Sequence, residues 1–96
     1  MNETHVSFRI EATHACLPGH FPGRPVVPGV VLLDRVAAAL EQSGAGRLCR
    51  IDAVKFLAPL LPEQGVELHI ARDGTRVRFR IERGGMPLLS GHGELR

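Results

Sequence analysis

Residues 17–34 read Leu-Pro-Gly-His-Phe-Pro-Gly-Arg-Pro-Val-Val-Pro-Gly-Val-Val-Leu-Leu-Asp, and they hold a base, an acid and a set of oxyanion donors in one short stretch. His20 sits between Gly19 and Phe21 in a loop stiffened by Pro18, Pro22, Pro25 and Pro28, so its imidazole has little freedom left to lose on meeting a substrate. That is the presentation a general base requires. Asp34 follows about one turn into an apolar run, where an aspartate is both a poor helix residue and costly to bury charged. Arg35 is its neighbour in sequence and would not face it across a helix, so burial is expected to raise the Asp34 pKa and suit it to act as an acid. Gly29 and Val30 open the same run, and a helix start offers unpaired N–H groups and a positive dipole end to a developing oxyanion. Each group also has a plainer reading: His20 as a loop histidine bonded to backbone, and Asp34 as a cap or an arginine's partner.

The elements that must position these groups follow from periodicity. Val30 to Leu40 is apolar on nearly every side and is closed by Glu41-Gln42-Ser43-Gly44, which predicts a buried helix of about sixteen residues, roughly 24 Å long, with Gly44 as its stop. Residues 4–12 alternate, Val6, Phe8 and Ile10 against His5, Ser7, Arg9 and Glu11, as a half-buried strand does. Residues 47–57 predict a strand whose mixed pattern implies contact on both faces, ended by Pro59 and Pro62. Val66, Leu68 and Ile70, then Val77, Phe79 and Ile81, predict two strands joined at Asp73-Gly74. Gly84-Gly85 makes the next turn, and residues 87–95 form a weaker strand interrupted by Gly91 and Gly93. One strand, one helix that needs cover on every side, and several antiparallel strands predict a sheet wrapped around a central helix.

Size and composition exclude several classes. Ninety-six residues, 44% hydrophobic and 23% charged, are read as one domain over 1–96, small enough that dimerisation would add needed stability. No apolar run approaches a membrane span, and Met1-Asn2-Glu3-Thr4-His5 has neither the basic nor the apolar part of a signal peptide, so a cytoplasmic protein without membrane contact is expected. A net charge of +2 with no Trp or Tyr argues against nucleic acid. Cys16 and Cys49 fit no disulfide or metal framework, and His14, Cys16 and His20 in a proline loop do not make a metal site, so no metal is expected. Ser90 and His92 share a strand face and are read as structural or surface groups. Arg72, Arg76, Arg78, Arg80 and Arg83 gather on one hairpin; they suit docking of an acidic partner, or equally a solvated face balanced by Glu67, Asp73 and Glu82.

The run Gly19-His20-Phe21-Pro22-Gly23-x-Pro25-x-x-Pro28-Gly29-Val30-x-x-x-Asp34 resembles the signature of the 3-hydroxyacyl-[acyl-carrier-protein] dehydratases of the hotdog fold. A second stretch, Ile51 to Pro62, is similar to the family's strand that ends in proline, and with their spacing the two cover about two thirds of the chain. The resemblance implies an α+β hotdog fold, with about five antiparallel strands around one central helix. It implies His20 and Asp34 as the catalytic pair, the aspartate being that of the branch that also isomerises the double bond. It further implies that Gly29 and Val30 polarise the thioester carbonyl, that Phe21, Pro28 and Leu33 line the acyl tunnel, and that Arg76, Arg78 and Arg80 meet the carrier. No cofactor is implied, since the substrate rides on the phosphopantetheine of acyl carrier protein. The expected assembly is a homodimer or higher oligomer, or a heterodimer with a related subunit, with the site at the subunit interface. The expected activity is dehydration to the trans-2-enoyl thioester in fatty-acid or polyene and polyketide-type synthesis. A hotdog acyl thioesterase and a non-catalytic subunit of a heteromeric dehydratase are the alternatives.

Overall fold

A computed structural model describes residues 2–11 and 26–96. His14, Cys16, His20 and Phe21 lie outside the described residues. The elements are β1 (Asn2–Phe8), α1 (Gly29–Gln42), β2 (Leu48–Phe56), β3 (Val66–Asp73), β4 (Arg76–Arg83) and β5 (Met86–Leu95). The strands form one antiparallel sheet in the order β1-β3-β4-β5-β2, so the connection through α1 leads from one edge strand to the other.

Alternation decides which face meets the helix. Val66, Leu68 and Ile70 of β3, and Val77, Phe79 and Ile81 of β4, are buried together with Leu88, Leu89 and Leu95 of β5. Against them lie Val31, Leu32, Val36, Ala39 and Leu40 of α1. Each such side chain contributes about 1.5–3 kcal/mol of transfer free energy, so this contact surface is the main source of cohesion. On β1, Val6 and Phe8 are half-buried and Ile10, just past the strand, is fully buried, while His5, Ser7 and Arg9 are exposed, as the alternation requires.

α1 ends as expected at Gly44 but after fourteen residues. The Gly44 N–H donates to Glu41 O at 3.1 Å and the Ala45 N–H to Leu40 O at 3.0 Å, with Gly44 at φ +78°. This paired closure satisfies carbonyls that the helix itself leaves open.

Four expectations need correction. Among the described residues the helix is covered on one side only, because a single five-stranded sheet reaches just the stripe of Val31, Leu32, Val36, Ala39 and Leu40. Val30 is 61% exposed, and Asp34 and Arg35 are exposed, so the burial expected of Asp34 is not found in the single chain. Among the described residues β2 is largely uncovered: it is an edge strand, Leu48 and Val54 pack against the core, and Arg50, Ile51, Asp52, Ala53, Lys55 and Phe56 are exposed. β5 is not weak but internal, paired to both β4 and β2. Its glycines are there for close approach. A Cβ at Gly91 would come within 2.7 Å of Ala53 O and 2.8 Å of Phe79 Cζ, beside the irregular register between Ile51 and Ala53 of β2.

Gly91→Ala is accordingly expected to destabilise the chain by about 1–3 kcal/mol through overpacking against backbone. Urea unfolding measures this as a lowered midpoint; an unchanged midpoint would contradict the close approach of β2.

Candidate active site at the start of the helix

Pro28 precedes the helix at φ −60° and ψ 141°, and no side chain caps α1. Its first turn contains no acidic residue. The Val31 N–H donates to Pro28 O at 3.0 Å, whereas the N–H groups of Gly29 and Val30 find no acceptor among the described residues. Two donors and the positive end of the helix dipole are thus left to serve something else.

This start is held in place from both sides. The buried Val27 donates its N–H to O of the buried Leu60 at 2.8 Å, and the Glu63 N–H donates to Ile10 O at 2.8 Å. Phe56, the last residue of β2, lies over Gly29 so closely that a Cβ there would stand 2.6 Å from Phe56 Cζ. A side chain at position 29 would therefore have to displace the Phe56 ring. Phe56 is itself 55% exposed, and Leu57 and Leu61 beyond it are also exposed. The role of Phe56 escaped the sequence reading; its one signal was its place in the apolar stretch before Pro59.

Asp34 stands four residues after Val30 and shares its exposed helix face. It has no hydrogen-bond or ion-pair partner among the described residues. Pro28 and Leu33 are half-buried, Leu33 against the core. The structure thus joins Pro28, Gly29, Val30, Leu33 and Asp34 at one end of α1, while His20 and Phe21 lie outside the described residues.

The arginines stand elsewhere. Arg76, Arg78 and Arg80 alternate with buried Val77, Phe79 and Ile81, so they occupy the sheet face opposite α1. Arg76 donates to Asp52 at 2.9 Å and to Glu94 at 2.8 Å, Arg50 donates to Asp52 at 2.7 Å, and Arg80 donates to Glu82 at 2.9 Å. Arg72 donates to Ala45 O and Arg83 to Pro59 O and Gln64. Of the five, Arg78 makes no ion pair or hydrogen bond among the described residues. The Arg50 hydrogen bond holds the Asp52 carboxyl below the usual carboxylate range, and Arg76 does the same for Glu94. Ser90 and His92 lie on this same outer face, His92 beside Asp52.

A five-stranded antiparallel sheet packed on one helix, with a free helix start, is the architecture of the hotdog fold. The chain belongs to the ApeI-like dehydratase family, described as ApeI dehydratase, whose family model matches residues 1–92. It is 36% identical over 72 residues to the 3-hydroxyacyl-[acyl-carrier-protein] dehydratase FabZ of Bradyrhizobium sp. (strain ORS 278), covering 64% of this chain and 47% of that one. The FabZ of Haemophilus influenzae (strain PittEE) is 38% identical over 72 residues, covering 64% and 48%. The chain thus spans about half the length of the curated relatives it matches. Among solved structures, the dehydratase heterocomplex ApeI:P from Xenorhabdus doucetiae superposes with a TM-score of 0.86 at 27% identity, covering 97% of this chain and 86% of that one. The (R)-hydratase from A. caviae shares the fold, with a TM-score of 0.76 at 19% identity, covering 99% and 95%.

Because Asp52 and Glu94 are more acidic folded than unfolded, their pairing stabilises the fold above the carboxylate range and is lost as pH falls through it. Arg76→Gln should lower Tm slightly near neutral pH, where both carboxylates are ionised, and leave Tm unchanged at acid pH, so that the acid side of a plot of Tm against pH is flatter; solvent screening of these exposed pairs keeps the effect small. An acid limb identical to the wild type would contradict the pairing.

Proposed function

We propose that the chain catalyses dehydration of a 3-hydroxyacyl thioester on acyl carrier protein to the trans-2-enoyl thioester, in the cytoplasm. The observation that carries this reading is the uncapped start of α1, with free Gly29 and Val30 donors and Asp34 on the same helix, in a chain of a dehydratase family. The donors polarise the thioester carbonyl and acidify the α-carbon. Neutral His20 takes the α-proton, the electrons form the α,β double bond, and the β-hydroxyl leaves as water with a proton from Asp34. No cofactor takes part beyond the carrier's own arm. Pro28, Leu33 and Phe21 line the acyl path.

Assembly is part of the proposal. Asp34, Val30, Phe56 and most of β2 are uncovered in one chain, which supports a site completed by a second subunit, either another copy or a related chain. The resemblance of the fold to a dehydratase heterocomplex supports keeping the related chain among the partners. The arginines of the outer face do not favour carrier docking there, since Arg76 and Arg80 are paired and all three lie on the face away from α1.

Mass spectrometry of a 3-hydroxyacyl carrier-protein thioester incubated with the purified chain tests the reading. Loss of one water is expected, slowed about 10²–10⁴-fold by His20→Ala or Asp34→Asn with the fold intact by circular dichroism. Release of free acid instead would assign thioester hydrolysis. Unaltered dehydration by both variants would remove the catalytic pair.

A further inference from the structure

The outer face of the sheet, opposite α1, is hollowed at its centre. The register places Ala71, Arg78, His92 and Ala53 side by side across β3, β4, β5 and β2, and in the next row His69, Arg80, Ser90 and Lys55. The alanines keep the floor low between longer side chains, and the hollow measures about 760 Å³. Two strand spacings, about 10 Å, separate β4 from β2. Arg78 and Arg80 on one side and Lys55 on the other therefore flank Ser90 and His92 of β5.

The charges of this hollow are not balanced from within. Arg78 and Lys55 are exposed and make no ion pair or hydrogen bond among the described residues. Arg80 gives its Nε–H to Glu82 at 2.9 Å, and its two terminal nitrogens engage nothing among the described residues. The half-buried Ser90 hydroxyl, between Arg80 and Lys55 in the register, also lacks a partner among them. The acidic groups nearby are committed elsewhere: Asp52, beside His92, to Arg50 and Arg76, and Glu67 to His5 and His69. Glu3, the carboxylate in the lining, stands on edge strand β1 with Ala71 between it and Arg78. Unpaired cations gathered in a concavity, whose walls focus their field, make a place for an anion.

We infer that Lys55, Arg78, Arg80 and Ser90, with His92 beside them, form a binding site for a small molecule that carries two or more linked phosphoryl groups. A guanidinium fork matches phosphate oxygens two at a time, and a lysine ammonium adds a mobile point charge with three donors. Cations on both sides of β5 call for an anion whose charge is spread over several oxygens, so that the β4 side and the β2 side are engaged together. A lone carboxylate has neither the charge nor the span. The volume lies within the range of about 300–1,000 Å³ common to small-molecule sites. The hollow is on the side of the sheet away from α1, so its occupant is separate from the acyl group at the helix start. Lys55 and Arg78 belong to strands joined only through β5, which is why the sequence pattern did not reveal the site.

The full chain is titrated calorimetrically with sodium pyrophosphate and, separately, with orthophosphate, near neutral pH and at constant ionic strength. One pyrophosphate per chain is expected, with half-saturation below a millimolar and at least tenfold tighter than orthophosphate. Arg78→Gln and Lys55→Gln should each weaken binding at least fivefold. Arg47→Gln removes the same charge from an exposed position outside the hollow and should leave binding unchanged. Absence of binding, equal binding of orthophosphate, or an equal loss in Arg47→Gln would overturn the assignment. So would an Arg78→Gln chain with a raised KM for a carrier-protein thioester when pyrophosphate does not bind, a result that gives this face to the carrier protein instead.

Discussion

One stripe of α1, packed against the inner face of the sheet, sets the geometry of the whole chain. Val31, Leu32, Val36, Ala39 and Leu40 can be buried only if β3, β4 and β5 turn Val66, Leu68, Ile70, Val77, Phe79, Ile81 and Leu89 toward them. The register of those strands is thereby fixed, since a slip of one residue would exchange the apolar and charged faces. The same packing fixes the rotation of α1 and so sends Val30 and Asp34 outward. With Val27 tied to Leu60 and Phe56 resting on Gly29, the start of the helix is placed as firmly as its middle.

A sheet with one apolar and one polar face separates two chemistries. On the inner side the dipole end of α1 and the Asp34 carboxylate stand at the edge of an apolar core. Across the sheet, charged residues pair along and between strands: Arg50, Asp52, Arg76 and Glu94 in one group, and Glu67, His69 and Glu82 in another. The two groups differ in balance. Arginines neutralise Asp52 and Glu94, and Arg80 pairs with Glu82, whereas the partners of Glu67 among the described residues are histidines.

What could be read from the chain beforehand was local. The alternation of β1, the stop at Gly44, and the turns at Asp73-Gly74 and Gly84-Gly85 depend on neighbours in sequence, and each is present, although β1 runs Asn2–Phe8 rather than over residues 4–12. The hotdog architecture and the positions of Gly29 and Asp34 on one helix were legible through a long motif. What was misread is non-local. Whether Asp34 is buried depends on how far round α1 five strands reach, and β5 looked weak because nothing local shows that Gly91 accommodates Ala53 and Phe79. Phe56 over Gly29 and His5 beside Glu67 are likewise products of topology, joining segments far apart in the chain.

The role proposed for the free start of α1 is to activate a thioester for chemistry at its β-carbon rather than at its carbonyl. The reverse reaction is the sharpest probe of that role: the chain is given a trans-2-enoyl carrier-protein thioester in water enriched in oxygen-18. The expected product is a 3-hydroxyacyl thioester still attached to the carrier, with the label in the β-hydroxyl. Label found in the carboxylate of a released acid, or in no product, would contradict it.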